Sequence, residues 1–221
     1  MVATYAQLLG ERYRGKLDEK ADKYIAYAVD GALRMQTLIN DLLVYSRVGR
    51  QHGQPRRITG TDIVQCALKN LQAAISESGA HITCDDLPVL YVEPGPLVQV
   101  FQNLIGNAIK FHGLEPPRIM VSAQEKGAQW VFAVTDNGIG IDPEHAENIF
   151  VIFKRLHTRS EYPGSGLGLA ICKKIIEQME GSIWVESQPS QGATFKFTLP
   201  VSVAAESEEK NELVRRDLVS R

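Results

Sequence analysis

Cysteine is scarce in this sequence and carries no pattern. Cys66, Cys84 and Cys172 are the only three in 221 residues, and no two stand in C-x-x-C spacing. This argues against a disulfide framework or a thiolate metal site, and it predicts reduced packing residues in a cytoplasmic protein. The five histidines are scattered, without metal-ligand spacing. No apolar run approaches the roughly 20 residues of a membrane span and no signal peptide opens the chain, so no membrane contact is expected from this segment. Charge of neither sign is in excess. The net charge of -2 supplies no bulk attraction to nucleic acid or to an anionic bilayer. The phosphate loop G-x-x-x-x-G-K-[ST] is absent, and so are internal repeats and low-complexity blocks.

What is present is an ordinary globular composition, 44% hydrophobic and 23% charged, at a length that suits one large or two small domains. One stretch departs from the ordinary. "EYPGSGLGLAICKK", Glu161 to Lys174, sets Gly164, Gly166 and Gly168 on alternate positions before an apolar helical run. Glycine costs about 0.5–1 kcal/mol relative to alanine inside a regular element, so the cluster calls for a physical reason. Either it is a turn, or free N–H groups at a helix N-terminus cradle an anion such as phosphate. The spacing does not fit the dinucleotide fingerprint G-x-G-x-x-G, and polar residues precede it where that motif requires a strand.

Residues 1–53 read as two helices joined by a turn at "RYRGKLDE", with Gly15 near the end of the first and Asp18 capping the second. Ala21, Ile25, Ala28, Ala32, Met35, Ile39, Leu42 and Ser46 recur at alternating steps of four and three. That is the heptad seam of a helical bundle, although a core-facing helix produces the same stripe. At about 1.5 Å per residue the second helix, from about Asp18 to Val48, is roughly 46 Å long. The first, Met1 to Arg14, pairs with less than half of it, so an upstream part of that arm is expected to be missing.

"GRQHGQPRR", Gly49 to Arg57, has the composition of a linker. Beyond it, helices are expected at about 61–76, 95–111, 144–150 and 167–180, and strands near 80–84, 89–92, 117–125, 129–136, 182–187 and 193–199. Most consecutive strands lack an intervening helix. The fold class is therefore α+β: a helical hairpin, forming a dimeric bundle, followed by an α/β sandwich with a mixed β-sheet packed on helices. The apolar pattern ends at about residue 200, and 201–221 read as a charged, solvated tail.

Two further strings carry chemistry. "FAVTDNGIGID" delivers Asp136 at the end of an apolar strand, followed by Gly138 and Gly140. It is either a strand ending in an Asn-Gly turn, or a carboxylate that accepts from a ligand amino group while the glycines let the ligand lie against backbone. "VFQNLIGNAIKFH" places Asn103, Asn107 and Lys110 on one face of a helix whose neighbouring stripe, Val100, Leu104, Ala108 and Phe111, is apolar. Amide oxygens suit Mg²⁺ and lysine offers a point charge to phosphate, while a plain polar surface face would show the same residues.

"QNLIGNAIKFH", "DNGIGID", "IFVIFKRLHTRSEYPGSGLGLAICKKIIEQMEGSIWVES" and "GATFKFTLP", in this order over roughly residues 95–200, resemble the ATP-binding domain of sensor histidine kinases. The leading hairpin resembles the dimerisation domain of the same family, in its phytochrome-type branch. The resemblance implies three regions: a dimerisation hairpin with a truncated first helix over 1–53, an ATP-binding catalytic domain over 54–200, and the tail. It also implies roles. Asp136 would accept from the adenine amino group, supported by Gly138 and Thr194, with Gly140 in the same loop. Asn107, with Asn103 nearby, would hold Mg²⁺, Lys110 would contact the phosphates, and Phe111 would border the adenine. Phe150, Phe153 and Arg155 match the phenylalanine-rich box, with Arg155 within reach of phosphate. Gly164, Gly166 and Gly168, with Leu167 between them, would form the phosphate loop, and a lid between about Asp142 and Gly164 would close over ATP. The implied partners are a second copy of the chain and the receiver domain of a response regulator.

One element of the family pattern is absent. The phosphoacceptor histidine lies in a string like H-D-L-x-x-P on the first hairpin helix, and none of His52, His81, His112, His145 or His157 has that context. The chain is therefore expected to be a kinase fragment truncated within its phosphoacceptor helix. Two alternatives stand beside it. A related ATPase of the gyrase and heat-shock chaperone group would need a glutamate at the position of Asn103, and an amide is no general base. A non-enzymatic nucleotide-binding dimerisation module would need no acceptor at all.

Overall fold

In the computed structural model residues 1–47, 53–156, 162 and 165–201 are described. The chain divides into two compact units, Met1–Arg47 and Val48–Arg221.

The first unit is a hairpin of α1 (Val2–Tyr13) and α2 (Glu19–Arg47). Acidic side chains fix its turn. Asp18 Oδ1 accepts from Ala21 N at 2.7 Å, which caps α2, and the Asp22 carboxylate accepts from Gly15 N at 2.9 Å. A side chain on Gly10 would meet Ile25 and Val29 at 3.6 and 3.7 Å, so α1 lies close against the first half of α2. Within the heptad seam Ala32 is buried, but Met35, Ile39 and Leu42 beyond it are 53%, 55% and 50% exposed.

The second unit is two-layered. Strands β2 (His81–Cys84), β4 (Arg118–Lys126), β5 (Gln129–Asp136), β6 (Ile183–Ser187) and β7 (Ala193–Pro200) form one sheet in the order β2-β4-β5-β7-β6. The β2–β4 pair is parallel and the others antiparallel, which is the expected mixed sheet. Helices α3 (Gly60–Asn70), α5 (Pro94–Lys110) and α6 (Gly168–Gln178) cover one face. The joint is aromatic: Phe101 of α5 meets Phe132 of β5 and Phe197 of β7 edge-on, at centroid distances of 6.1 and 5.5 Å. Each of these rings buries on the order of 150–250 Å², so the trio dominates the attachment of α5 to the sheet. Side chains alternate along a strand. Phe132, Val134 and Asp136 therefore face the helices, as do Ala193, Phe195 and Phe197.

Three expectations need correction. The linker ends earlier than its composition suggests, because Arg56–Thr59 forms β1, antiparallel to β3 (Val89–Val92) in a separate two-stranded ribbon. The helix expected at 61–76 is two helices, α3 and α4 (Gln72–Ser78), parted at Leu71. No glycine or proline marks that break. The Leu71 N–H simply turns to the Ala67 and Leu68 carbonyls, at 3.2 and 3.1 Å. The helix expected at 144–150 is two single 3₁₀ turns, Pro143–His145 and Asn148–Phe150, the first capped by Asp142 Oδ1 accepting from Glu144 N at 2.9 Å. So short a segment completes too few i→i−4 bonds to offset nucleation. The tail lies outside the described residues, apart from Val201.

Candidate functional site

The site is assembled where α5 ends, where β5 ends and where α6 begins. The alternation of β5 turns Asp136 toward the helices. Its Oδ1 accepts from Gly138 N at 2.8 Å and from Ala193 N at 3.1 Å, leaving Oδ2 without a donor among the described residues. Burial pushes its carboxyl above the usual range, and the two backbone donors pull the other way. A half-buried carboxylate with one oxygen fixed and the other open can accept from a ligand amino group.

The glycines after Asp136 make room for the chain itself. A Cβ on Gly138 would stand 2.5 Å from the Phe111 carbonyl oxygen, and one on Gly140, at φ +72°, would stand 2.0 Å from the Gln188 carbonyl oxygen. The two backbones need that room. Ile139 N donates to Phe111 O at 3.0 Å, Ser190 N to Ile139 O at 2.7 Å, and Gly192 N to Gly138 O at 3.1 Å. The first of these bonds joins the end of α5 to the loop after β5, and so brings two motifs far apart in sequence into one place.

On α5, Asn103, Asn107 and Lys110 are half-buried, so their face is not a plain surface. Asn103 Nδ2 donates to Gly168 O at 3.2 Å, tying α5 to the first residue of α6. The Asn107 amide makes no hydrogen bond with any described residue, which leaves it available to a ligand. Lys110 Nζ lies over the Phe111 ring, 4.1 Å from its centroid. Burial, and then the Arg155 guanidinium, push the ammonium pKa down to about 8.

The loop between the 3₁₀ turns and α6 is closed at its base by Phe153 N donating to Gly166 O at 3.1 Å. Phe153 adopts φ +64°, and Gly166, at φ +78°, would carry a Cβ only 3.2 Å from both the Phe153 backbone and Arg155 Cγ. The Phe153 ring is 56% exposed while Phe150 is buried, so Phe153 contributes its backbone here. Leu167 is fully buried and anchors the start of α6, whose first turn has no side-chain cap and no acidic residue. Among the described residues no side chain accepts from its first-turn N–H groups, which can therefore receive an anion. Gly164 lies outside the described residues, as do residues 157–161 and 163 of the expected lid.

Thr194 departs from its expected place. It pairs with Thr135 across β5 and β7, their hydroxyls 3.1 Å apart, on the face away from the helices. The neighbour of Asp136 is Ala193, through its backbone N–H. Counting strand parity back from Phe195 and Phe197 would have found this. Two other participants had no signal in residue type. Ser187 Oγ accepts from Ile141 N at 2.8 Å and donates to Gly192 O at 2.6 Å. Tyr162 packs its ring on that of Phe111, centroids 4.8 Å apart.

Comparison with known proteins places the fold. Residues 92–203 match the family of histidine kinase-, DNA gyrase B- and HSP90-like ATPases. Cyanobacterial phytochrome A of Nostoc sp. is 51% identical over 210 residues, which are 95% of this chain and 27% of that protein. The chain thus spans little more than a quarter of that relative's length. The catalytic domain of the histidine kinase ThkA, solved without nucleotide, aligns with a TM-score of 0.57 at 26% identity, over 67% of this chain and 96% of that one. Full-length ShkA, solved with AMPPNP, shares the fold with a TM-score of 0.64 at 24% identity, over 90% of this chain and 46% of that one.

Proposed function

Because the chain belongs to the histidine kinase-, DNA gyrase B- and HSP90-like ATPase family and carries an ATP-binding domain of the sensor histidine kinase type, we propose that this site binds Mg·ATP and serves transfer of the γ-phosphoryl group to a histidine, and onward to an aspartate of a response-regulator receiver domain. The observation that carries the reading is the Ile139 N to Phe111 O bond, which sets Asp136 beside the Asn107–Lys110 face. Each group then has a task. Asp136 Oδ2 accepts from the adenine amino group, and Phe111 borders the base. Lys110 and Arg155 meet the phosphates, and the open first turn of α6 offers N–H groups to them. Asn107, with its amide unengaged, is the residue that would hold Mg²⁺ through Oδ1, and Asn103 contributes by fixing α6. When bound, Mg²⁺ would neutralise phosphate charge. Transfer at such a site rests on positioning and electrostatic stabilisation rather than covalent chemistry.

Neither α1 nor α2 contains a histidine, so the acceptor would be supplied from outside these residues. The exposed stretch of the α2 seam supports a homodimer through the hairpin, in the cytoplasm where ATP is found. No described helix is long and apolar enough to cross a membrane. Autonomous ATP hydrolysis is disfavoured, because Asn103 is an amide already engaged with Gly168. The test is titration of the chain with Mg·ATP by calorimetry, followed by labelled ATP and an added helical segment bearing the acceptor histidine. Binding with acid-labile, base-stable label on the added segment supports the proposal. Binding with no transfer favours a non-enzymatic nucleotide-binding module, and no binding at millimolar ATP removes the site assignment.

A further inference from the structure

We infer that Tyr162 is a built-in competitor of the nucleotide: its ring holds the aromatic surface of Phe111 and its carbonyl oxygen holds the Arg155 guanidinium until ATP takes both. The inference rests on the reading above, in which Phe111 borders the adenine and Arg155 reaches phosphate.

Two contacts carry it. The Tyr162 ring sits 4.8 Å from the Phe111 centroid at an interplanar angle of 45°, and Arg155 Nη2 donates to the Tyr162 backbone oxygen. One residue thus presents an aromatic ring and an oxygen acceptor, the two kinds of group a nucleotide offers. Both are set against the residues that would receive base and phosphate. A Cβ on Gly166 would come within 3.2 Å of Arg155 Cγ, so the arginine stem runs close past the base of the loop, near the cation of Lys110.

The competition is uneven, and that makes it useful. A carbonyl dipole is a weaker partner for guanidinium than a phosphate oxygen carrying charge. The base replaces one aromatic contact of Phe111 with another. ATP therefore gains at Arg155 and breaks even at Phe111, while the apparent affinity is lowered by the fraction of molecules in which Tyr162 is seated. An aromatic pair is worth about 0.5–1.5 kcal/mol, which corresponds to roughly two- to tenfold in affinity. On this account Tyr162 sets the ATP concentration at which the site fills.

The test is calorimetric titration of the whole chain with Mg·ATP. Tyr162→Ala and Tyr162→Leu should bind about two- to tenfold more tightly than wild type, and Tyr162→Phe, which keeps the ring, should restore the wild-type value. In a Phe111→Ala background the Tyr162→Ala change should have no further effect. Weaker or unchanged binding by Tyr162→Ala, with normal binding by wild type, overturns the inference alone. It would mean that the ring clamps the base or ignores it. Absence of binding in wild type and all variants overturns the nucleotide reading and this inference with it.

Discussion

Asp136 is half-buried as an acid and, on the proposed reading, used as an acceptor, and the two demands separate under mutation. Asp136→Asn keeps an oxygen for Gly138 N and Ala193 N but turns an amino group toward the ligand. Because burial raises the native pKa of Asp136, its ionised form is disfavoured in the folded state at neutral pH, and the neutral amide removes that cost. The variant should melt at or above the wild-type temperature in calorimetry. It should nevertheless bind Mg·ATP about 5- to 150-fold more weakly, the equivalent of 1–3 kcal/mol for an unpaired buried polar group. A fall in both quantities would make Asp136 a structural residue. Lys110 gives a pH signature. Its native pKa is lowered from 10.5 to about 8, so between those values the folded chain releases a proton that the unfolded chain keeps. The fold gains stability as pH rises through that window. Phosphate contact needs the cation and runs the opposite way. Mg·ATP affinity should weaken several-fold from pH 7 to pH 9.5, and Lys110→Arg, always charged, should flatten the profile.

The turn elements around Asp136 are held by backbone, so their side-chain-free positions are the sensitive ones. Gly140→Ala combines a left-handed φ with a Cβ 2.0 Å from Gln188 O, and should cost about 2–3 kcal/mol in urea unfolding. Thr194→Val, on the outer face, should leave Mg·ATP affinity unchanged while losing only the bond to Thr135. These contrasts mark what the sequence could tell. The residue types of the site were legible, because a carboxylate, amides and an ammonium advertise their chemistry wherever they stand. The purpose of Gly138 and Gly140 stayed open between a turn and a ligand, since a close backbone approach looks the same in sequence whether its neighbour is a ligand or Phe111 and Gln188. Thr194 was given a place beside Asp136 by the resemblance, whereas strand parity, readable from Phe195 and Phe197, puts it on the other face. The strand Arg56–Thr59 was hidden by its two arginines, which suit an exposed ribbon as well as a linker.

At the scale of the molecule, the long-range order was legible because period 2 and period 3.6 switch cleanly between residues 80 and 200, and the hairpin because its heptad is regular. What periodicity could not show is how much of the seam this chain covers itself. Met35 and Ile39 are exposed within the hairpin, so Ile39→Glu should leave the melting of the hairpin and of the α/β unit unchanged while dissociating any dimer in sedimentation. A dimer that persists would place its interface elsewhere. The bond between Phe153 N and Gly166 O has a different consequence. It makes residues 154–165 a segment whose two ends are joined independently of what lies between. Doubling the length of such a closed loop costs only about 0.6 kcal/mol of chain entropy. Longer inserts, even a small reporter domain, spliced between those anchors should therefore cost the surrounding fold less than a side chain at Gly166, where a Cβ would crowd the Phe153 backbone.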